Sequence, residues 1–230
     1  MGRRNRVTIG APRAEDFDKL PTWFTQAGVA SNDPDAEAAR YRGALTDGYL
    51  GVATAAGFQN NLRTVEQLPN TQWAFARLMV RVLRLNDTAI GAVIMGSHVR
   101  LWELLGTRMN GASLDLVNPT PESMNYMIGV LKVAKIHLLA VDPDQQGRGH
   151  GGRLLRSALD VATRDGLVTV YGQFSADRPH LAGFYERAGF TIGDPGEPMS
   201  LTIITGNAAD AMEVPASHRL FVREQPPAGR

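Results

Sequence analysis

Residues 141–155 read VDPDQQGRGHGGRLL, with four glycines and three basic residues set between two apolar runs. Upstream, KIHLLAV (Lys135–Val141) has the length and composition of a buried strand. Downstream, Leu154, Leu155, Ala158, Leu159 and Ala162 recur at helical spacing and predict a helix from Gly149 to about Asp165. The chain must therefore pass from a strand into a helix through a turn almost bare of side chains. The first N–H groups of a helix are unpaired and sit at the positive end of its dipole. Gly147, Gly149 and Gly151 lack the Cβ atoms that would block an approaching ligand. Such a turn suits an anion, and a phosphate above all.

Two fingerprints compete for this turn. Gly147, Gly149 and Gly152 fit the spacing G-x-G-x-x-G of dinucleotide sites. There, however, the glycines follow the first strand almost at once and most of the sheet comes after them. Here Asp142–Gln146 intervenes, little chain remains, and no acidic residue ends the next strand at the expected distance. A Walker A loop is excluded because no Gly-Lys-Ser/Thr follows.

Elsewhere the pattern alternates strands and helices. Arg6–Gly10 reads as a strand and Ala14–Ala27 as a helix with a kink at Pro21. A second helix is expected over Asp33–Thr46, with SNDPD supplying caps, followed by a mobile connection over Gly48–Asn61. Phe75–Leu85 and Thr88–His98 form two strands around Asn86-Asp87. Residues 99–133 turn helical, with Met124, Met127, Ile128 and Leu131 on one face. Strands at Leu167–Phe174, Phe190–Gly193, Ser200–Thr205 and Arg219–Arg223 and a helix at His180–Ala188 complete the reading. The organisation expected is one domain over residues 1–230, with an expanded helical segment at 99–133 and a flexible tail at 224–230.

Composition narrows the function. The 230 residues are 43% hydrophobic and 20% charged with a formal net charge of +1, so no overall field favours nucleic acid or an anionic membrane. No apolar run reaches membrane-helix length, and the basic MGRRNR start has no apolar segment behind it as a signal would. Cysteine is absent, which fits a cytoplasmic setting and excludes an acyl-cysteine intermediate. No histidine pair has zinc-site spacing, so no metal is expected.

The run Gln146–Gly151 has the form Q-x-x-G-x-G, and with LLAVDP before it closely resembles motif A of the GNAT N-acetyltransferase superfamily. HLAGFYERAGF, His180–Phe190, is similar to motif B of that family, in the right order and separated by a helix and a strand. The detailed match covers Lys135–Phe190. The resemblance implies an α/β (α+β) GNAT fold: a central mixed, mostly antiparallel sheet, with a parallel pair splayed at the acetyl-CoA site and helices on both faces. It implies a coenzyme A pyrophosphate at the glycine turn, with Gln146, Gly147, Arg148, Gly149, His150, Gly151 and Gly152 around it. Backbone groups of Leu139 and Val141 would bind the pantetheine arm, and the Leu139 N–H would face the oxyanion.

Acetyl transfer to an amine needs a neutral nitrogen, a donor for the oxyanion and a proton for the departing thiolate. Tyr185 occupies the motif B position that protonates the sulfur in that family. The base is less determined. The glutamate position of the histone-acetylating branch falls on Lys135, a departure from that branch. KIHLLAV also resembles the strand of arylalkylamine acetyltransferases, where two histidines relay the amine proton. His137 falls on one of those positions and Lys135 on the other. An imidazole titrating near about 6.5 can accept a proton at neutral pH, so His137 is the candidate base. The start of motif B departs as well: SADRPH lacks the usual Asn, and Asp177 or Arg178 is expected to cap the helix.

The acceptor site is expected from the first two helices, Gly48–Asn61 and the 99–133 segment, which includes Trp102, Glu103, Met124 and Tyr126. These residues suit a small amine with an apolar body. The leading expectation is thus direct acetylation of a small-molecule primary amine in a ternary complex with acetyl-CoA. Alternatives are acetylation of a protein or aminoacyl-tRNA, or a non-catalytic acyl-CoA-binding regulatory module. Homodimers are common in that family, and nothing in this sequence shows one.

Overall fold

The computed structural model describes residues 6–29, 31–98, 120–121, 131–202 and 207–224. The Met124–Leu131 stripe, apart from Leu131, lies outside the described residues, as do Trp102, Glu103, Tyr126 and the tail beyond Glu224. Contacts group the chain into two compact units, Met1–Gly96 with Ile136–Arg164, and Ser97–Lys135 with Asp165–Arg230.

In the first unit, β1 (Val7–Gly10), β2 (Leu78–Leu85) and β3 (Thr88–Gly96) pair antiparallel in sequence order. The β2–β3 hairpin turns at Asn86 and Asp87, whose φ angles of 50° and 70° are those of a type I′ turn. Here Asn-Asp performs the turn that Asn-Gly more often makes. Leu78, Val80, Val82, Ala92 and Ile94 share one face with Leu138 and Ala140 of β4 (Val133–Val141). Against that face pack Phe17, Leu20, Trp23 and Phe24, then Ala38 and Tyr41. They come from a 3-10 turn (Ala14–Lys19), α1 (Leu20–Ala27) and α2 (Pro34–Thr46). The expected Ala14–Ala27 helix is thus two pieces, because Pro21 occupies the first turn of an α-helix and lacks the N–H that would continue one. Asp33 caps α2 as expected, accepting from the Ala36 N–H at 2.9 Å.

Arg84 and Asp16, 6% and 4% exposed at their side chains, form a buried ion pair beneath the 3-10 turn. Asp16 also accepts from the Arg13 N–H, and Arg84 donates to the Ala11 carbonyl, so the pair's remaining polar atoms are partly matched.

Two short helices replace expected loop and strand. Helix α3 (Phe58–Glu66) follows Gly57 without a side-chain cap, and α4 (Trp73–Ala76) occupies the first residues assigned above to the β2 strand. The carbonyls of Phe75 and Ala76 instead accept from Gly51 and Ala53, tying down the connection expected to be mobile. Helix α5 (His150–Arg164) buries Leu154, Leu155, Ala158, Leu159, Val161 and Ala162 and packs on β2 and β3.

In the second unit, the first residues of β4 pair parallel with β5 (Thr169–Ser175). Strand β9 (His218–Glu224) runs antiparallel to β5 on one side and to β6 (Thr191–Pro195) on the other. A small ladder of β7 (Met199–Ser200) and β8 (Ala211–Met212) contributes Met199 to a cluster with Val133, Tyr171, Leu201, Val214 and Leu220. Helix α6 (His180–Glu186) packs on β6. Its N-cap is Pro179, which makes no side-chain capping bond, whereas Asp177 or Arg178 was the expected cap.

The strand order is β1-β2-β3-β4-β5-β9-β6, and the β4–β5 neighbours are its one parallel pair among the described residues. The α/β (α+β) class with a mostly antiparallel sheet is borne out. The parallel register covers only Val133–Lys135 against Thr169–Tyr171.

Candidate active site

In the first unit, the turn after β4 is held from both sides. The Asp142 N–H donates to Ile90 of β3 at 2.8 Å. Its carboxylate accepts from Trp23 Nε1 and Lys19 Nζ, each at 2.8 Å, and Lys19 also donates to the Ala89 carbonyl at 2.7 Å. A 3-10 turn at Pro143–Gln145 follows. The Gln146 side-chain amide then donates back to the Val141 carbonyl at 2.9 Å, closing the turn on the strand that precedes it.

Gly147 and Gly149 have φ of 74° and 79°, the left-handed region where a side chain is strained. A Cβ built on either would meet nothing within 4 Å. These glycines are thus required by backbone conformation, and the space above them is open.

Helix α5 starts at His150, which is 8% exposed. Its Nδ1 is buried and has no hydrogen-bond partner among the described residues. Burial first, then the guanidiniums of Arg153 and Arg148, hold its pKa below the ordinary imidazole value. The imidazole is therefore neutral near pH 7. The two guanidiniums that depress it are exposed and make no ion pair among the described residues. Open left-handed glycines, a helix start and two unneutralised cations are features that suit a polyanion. Gly151 and Gly152 lie in the first turn of α5, partly exposed, and Leu139 is a partly exposed residue of β4 on the same face as Lys135 and His137.

In the second unit, Tyr185 of α6 is 6% exposed, and its ring stacks on Phe221 with centroids 3.7 Å apart and planes 12° from parallel. Phe190 and Phe184 meet the same ring edge-on. Phe221 can lie there because its partner in register on β5 is Gly172, where a Cβ would collide with the Phe221 ring. Burial raises the Tyr185 pKa above the ordinary phenol value, so the hydroxyl keeps its proton at neutral pH.

Against this geometry, the GNAT acetyltransferase family model matches residues 63–190, more than half of the chain and spanning both motifs. The chain belongs to the GNAT acetyltransferase family. No curated protein matches its sequence significantly. Among solved structures, the ribosomal-protein-S18-alanine N-acetyltransferase of Escherichia coli is similar at a TM-score of 0.52 and 16% identity, with 97% of each chain covered. The protein yncA of Salmonella typhimurium, described as an acetyltransferase and solved with its cofactor acetyl-CoA, gives 0.52 and 13%, with 98% of this chain and 97% of that one covered. At such identities the likeness is one of fold.

Within this GNAT chain, Gln146–Gly152 form one continuous turn into α5, as the sequence indicates. Gln146 spends its amide on Val141, however, so the cationic groups at the turn are Arg148 and Arg153. Arg153 was not singled out by sequence, although its place one helical turn after Gly149 could have flagged it.

Sequence reasoning also missed His98. Its Nδ1 lies 2.8 Å from the Tyr171 hydroxyl and its Nε2 3.4 Å from Lys135 Nζ. No motif marks it, since Lys135 lies 37 and Tyr171 73 positions further along the chain. Among the described residues no cluster of His, Asp or Glu could hold a metal, and no helix is long and apolar enough to cross a membrane.

Proposed function

We propose that this GNAT protein is an acetyl-CoA-dependent N-acetyltransferase acting on a primary amine of a small molecule by direct attack in a ternary complex. The observation that carries the reading is the turn at Gly147–His150: two left-handed glycines open to solvent, backed by Arg148 and Arg153. That arrangement fits the pyrophosphate of coenzyme A, with Gly147–Gly152 N–H groups and the two guanidiniums as its partners. Acetyl-CoA would supply an activated acyl group on a sulfur. Leu139 and Val141 offer strand backbone to its pantetheine arm, with the Leu139 N–H as oxyanion donor.

Tyr185 is the proton donor to the departing sulfur, a role suited to a buried phenol that stays protonated. His137, on the partly exposed face of β4, accepts the proton that leaves nitrogen as the C–N bond forms. The chain has no cysteine to carry an acyl group, which favours direct attack. The same absence suits a cytoplasmic enzyme.

Calorimetric titration with acetyl-CoA, followed by a panel of small primary amines, N-terminal peptides and aminoacyl-tRNA scored by free CoA release, tests the reading. We expect saturable acetyl-CoA binding and release of CoA with small amines. Binding without turnover on any acceptor would favour a regulatory acyl-CoA module, and turnover only with peptides or tRNA would reassign the acceptor.

A further inference from the structure

A proton donor has to be aimed as well as protonated, and a buried tyrosine hydroxyl is usually aimed by a hydrogen bond. The Tyr185 hydroxyl has no such bond among the described residues, although the residue is only 6% exposed. Its oxygen is not one of the sealed, unpaired atoms of the core, so it stays open to a partner from outside. The backbone beneath it is fixed. The Tyr185 carbonyl accepts from the N–H groups of Ala188 at 2.9 Å and Phe190 at 3.2 Å. Beyond the backbone, ring contacts alone are left to set where the O–H bond points.

Those contacts centre on Phe221. Its plane lies 12° from that of Tyr185 with centroids 3.7 Å apart, so the two rings overlap almost completely. Aromatic quadrupoles favour offset or edge-on pairs with centroids about 4.5–7 Å apart, so this stack is imposed by its surroundings. Phe221 is the fixed member. It lies on β9 between two strands, in register with Gly172 of β5 and Ile192 of β6, and is 1% exposed. A Cβ at Gly172 would stand 2.2 Å from the Phe221 ring, so the ring lies directly over that glycine. Phe190 meets both rings edge-on, 5.6 Å from Tyr185 and 5.3 Å from Phe221. Tyr185, on a seven-residue helix packed against the edge strand β6, is the member that follows.

We propose that Phe221 is a positioning residue for acetyl transfer, its ring aiming the Tyr185 hydroxyl at the departing sulfur. This rests on the N-acetyltransferase reading above. As the C–S bond breaks, its electron pair stays on sulfur, which takes the Tyr185 proton and becomes the CoA thiol. The tyrosinate regains a proton from solvent, into which His137 releases the one taken from the amine. Phe221 exchanges no proton in this sequence and acts only through the ring it holds. Gly172 belongs to the same device, because a side chain there would push Phe221 out of the stack.

The test is a double-mutant cycle. Phe221→Leu and Gly172→Ala are each made in the wild type and in Tyr185→Phe. The readouts are kcat and KM for the fastest primary amine of the panel, with calorimetric titration of acetyl-CoA. In the wild type each substitution should lower kcat roughly tenfold by misplacing the hydroxyl, with KM and acetyl-CoA affinity within about twofold. In Tyr185→Phe, where no hydroxyl remains to be misplaced, neither should change kcat by more than about twofold. Proton NMR of the unmutated protein should show the Tyr185 ring protons shifted upfield by the overlying Phe221 ring, whether or not the variants fold. Unchanged kcat in the folded variants, equal losses in the two backgrounds, or ordinary Tyr185 ring shifts would overturn the role of Phe221 alone. Wild-type protein that binds no acetyl-CoA, or Tyr185→Phe with full turnover, would instead overturn the parent reading and this inference with it.

Discussion

The ring of Tyr185 lies on the ring of Phe221, 3.7 Å between centroids and 12° from parallel, above a strand position that only glycine can occupy. A side chain on α6 is thereby positioned by a strand more than thirty residues later in the chain. Tyr185→Phe keeps the stack and removes only the hydroxyl. Turnover should fall by about 10²-fold while acetyl-CoA affinity stays within twofold and thermal stability is nearly unchanged. Phe221→Ala should instead destabilise the protein by about 3–5 kcal/mol, read by urea denaturation. Equal loss of turnover and acetyl-CoA affinity in Tyr185→Phe would remove the proton-donor role.

Gly149→Ala separates backbone strain from ligand contact. With φ of 79° and nothing within 4 Å of a new Cβ, the substitution meets no collision in the free protein. The left-handed conformation costs about 1–2 kcal/mol with a Cβ. The methyl would stand in the space proposed for the pyrophosphate, so acetyl-CoA affinity should fall by an order of magnitude or more in calorimetry. A variant that folds and binds acetyl-CoA normally would place the phosphates elsewhere.

Asp142 ties the glycine turn to α1 through Trp23, 1% exposed, and to the 3-10 turn before it through Lys19, whose side chain is 40% exposed. The half-exposed ion pair contributes little, so the bond from buried Trp23 Nε1 dominates. Asp142→Ala should cost about 2 kcal/mol, and Asp142→Asn, which keeps an acceptor for the indole, about 1 kcal/mol or less. Both are read from urea midpoints, and the alanine variant should also raise the KM for acetyl-CoA. Equal destabilisation by the two would show that the Lys19 charge, and not the indole bond, carries the contact.

His150 titrates below its unfolded value because burial and the two neighbouring guanidiniums disfavour its charged form. The unfolded chain therefore binds the proton first as pH falls. Stability is fully present above about pH 6.5, starts to be lost below it, and is fully lost once the folded pKa is passed. The melting temperature of the wild type should drop between pH 7 and 5, and His150→Gln should show a shallower drop. Parallel slopes in the two proteins would mean that other groups carry the acid sensitivity.

Much of the site was legible because its parts are local. Gly147, Gly149 and the apolar face of α5 follow from spacing within some twenty residues, and backbone geometry at a helix start needs no distant partner. Helices α3 and α4 were not legible. Helix α3 has no capping side chain and buries only Asn61 and Val65, and α4 lies in an apolar run that reads equally as strand.

The sequence by itself determined the strand–turn–helix, the glycine conformations, the hairpin at Asn86-Asp87 and the phenol of motif B, since each depends on residues close in the chain. Only the tertiary structure decided that Asp142 is clasped by α1, that Gly172 makes room for Phe221 under Tyr185, and that His98 meets Lys135 and Tyr171. Those contacts join residues from 36 to 119 positions apart, and strand register, invisible to local periodicity, sets which side chains meet.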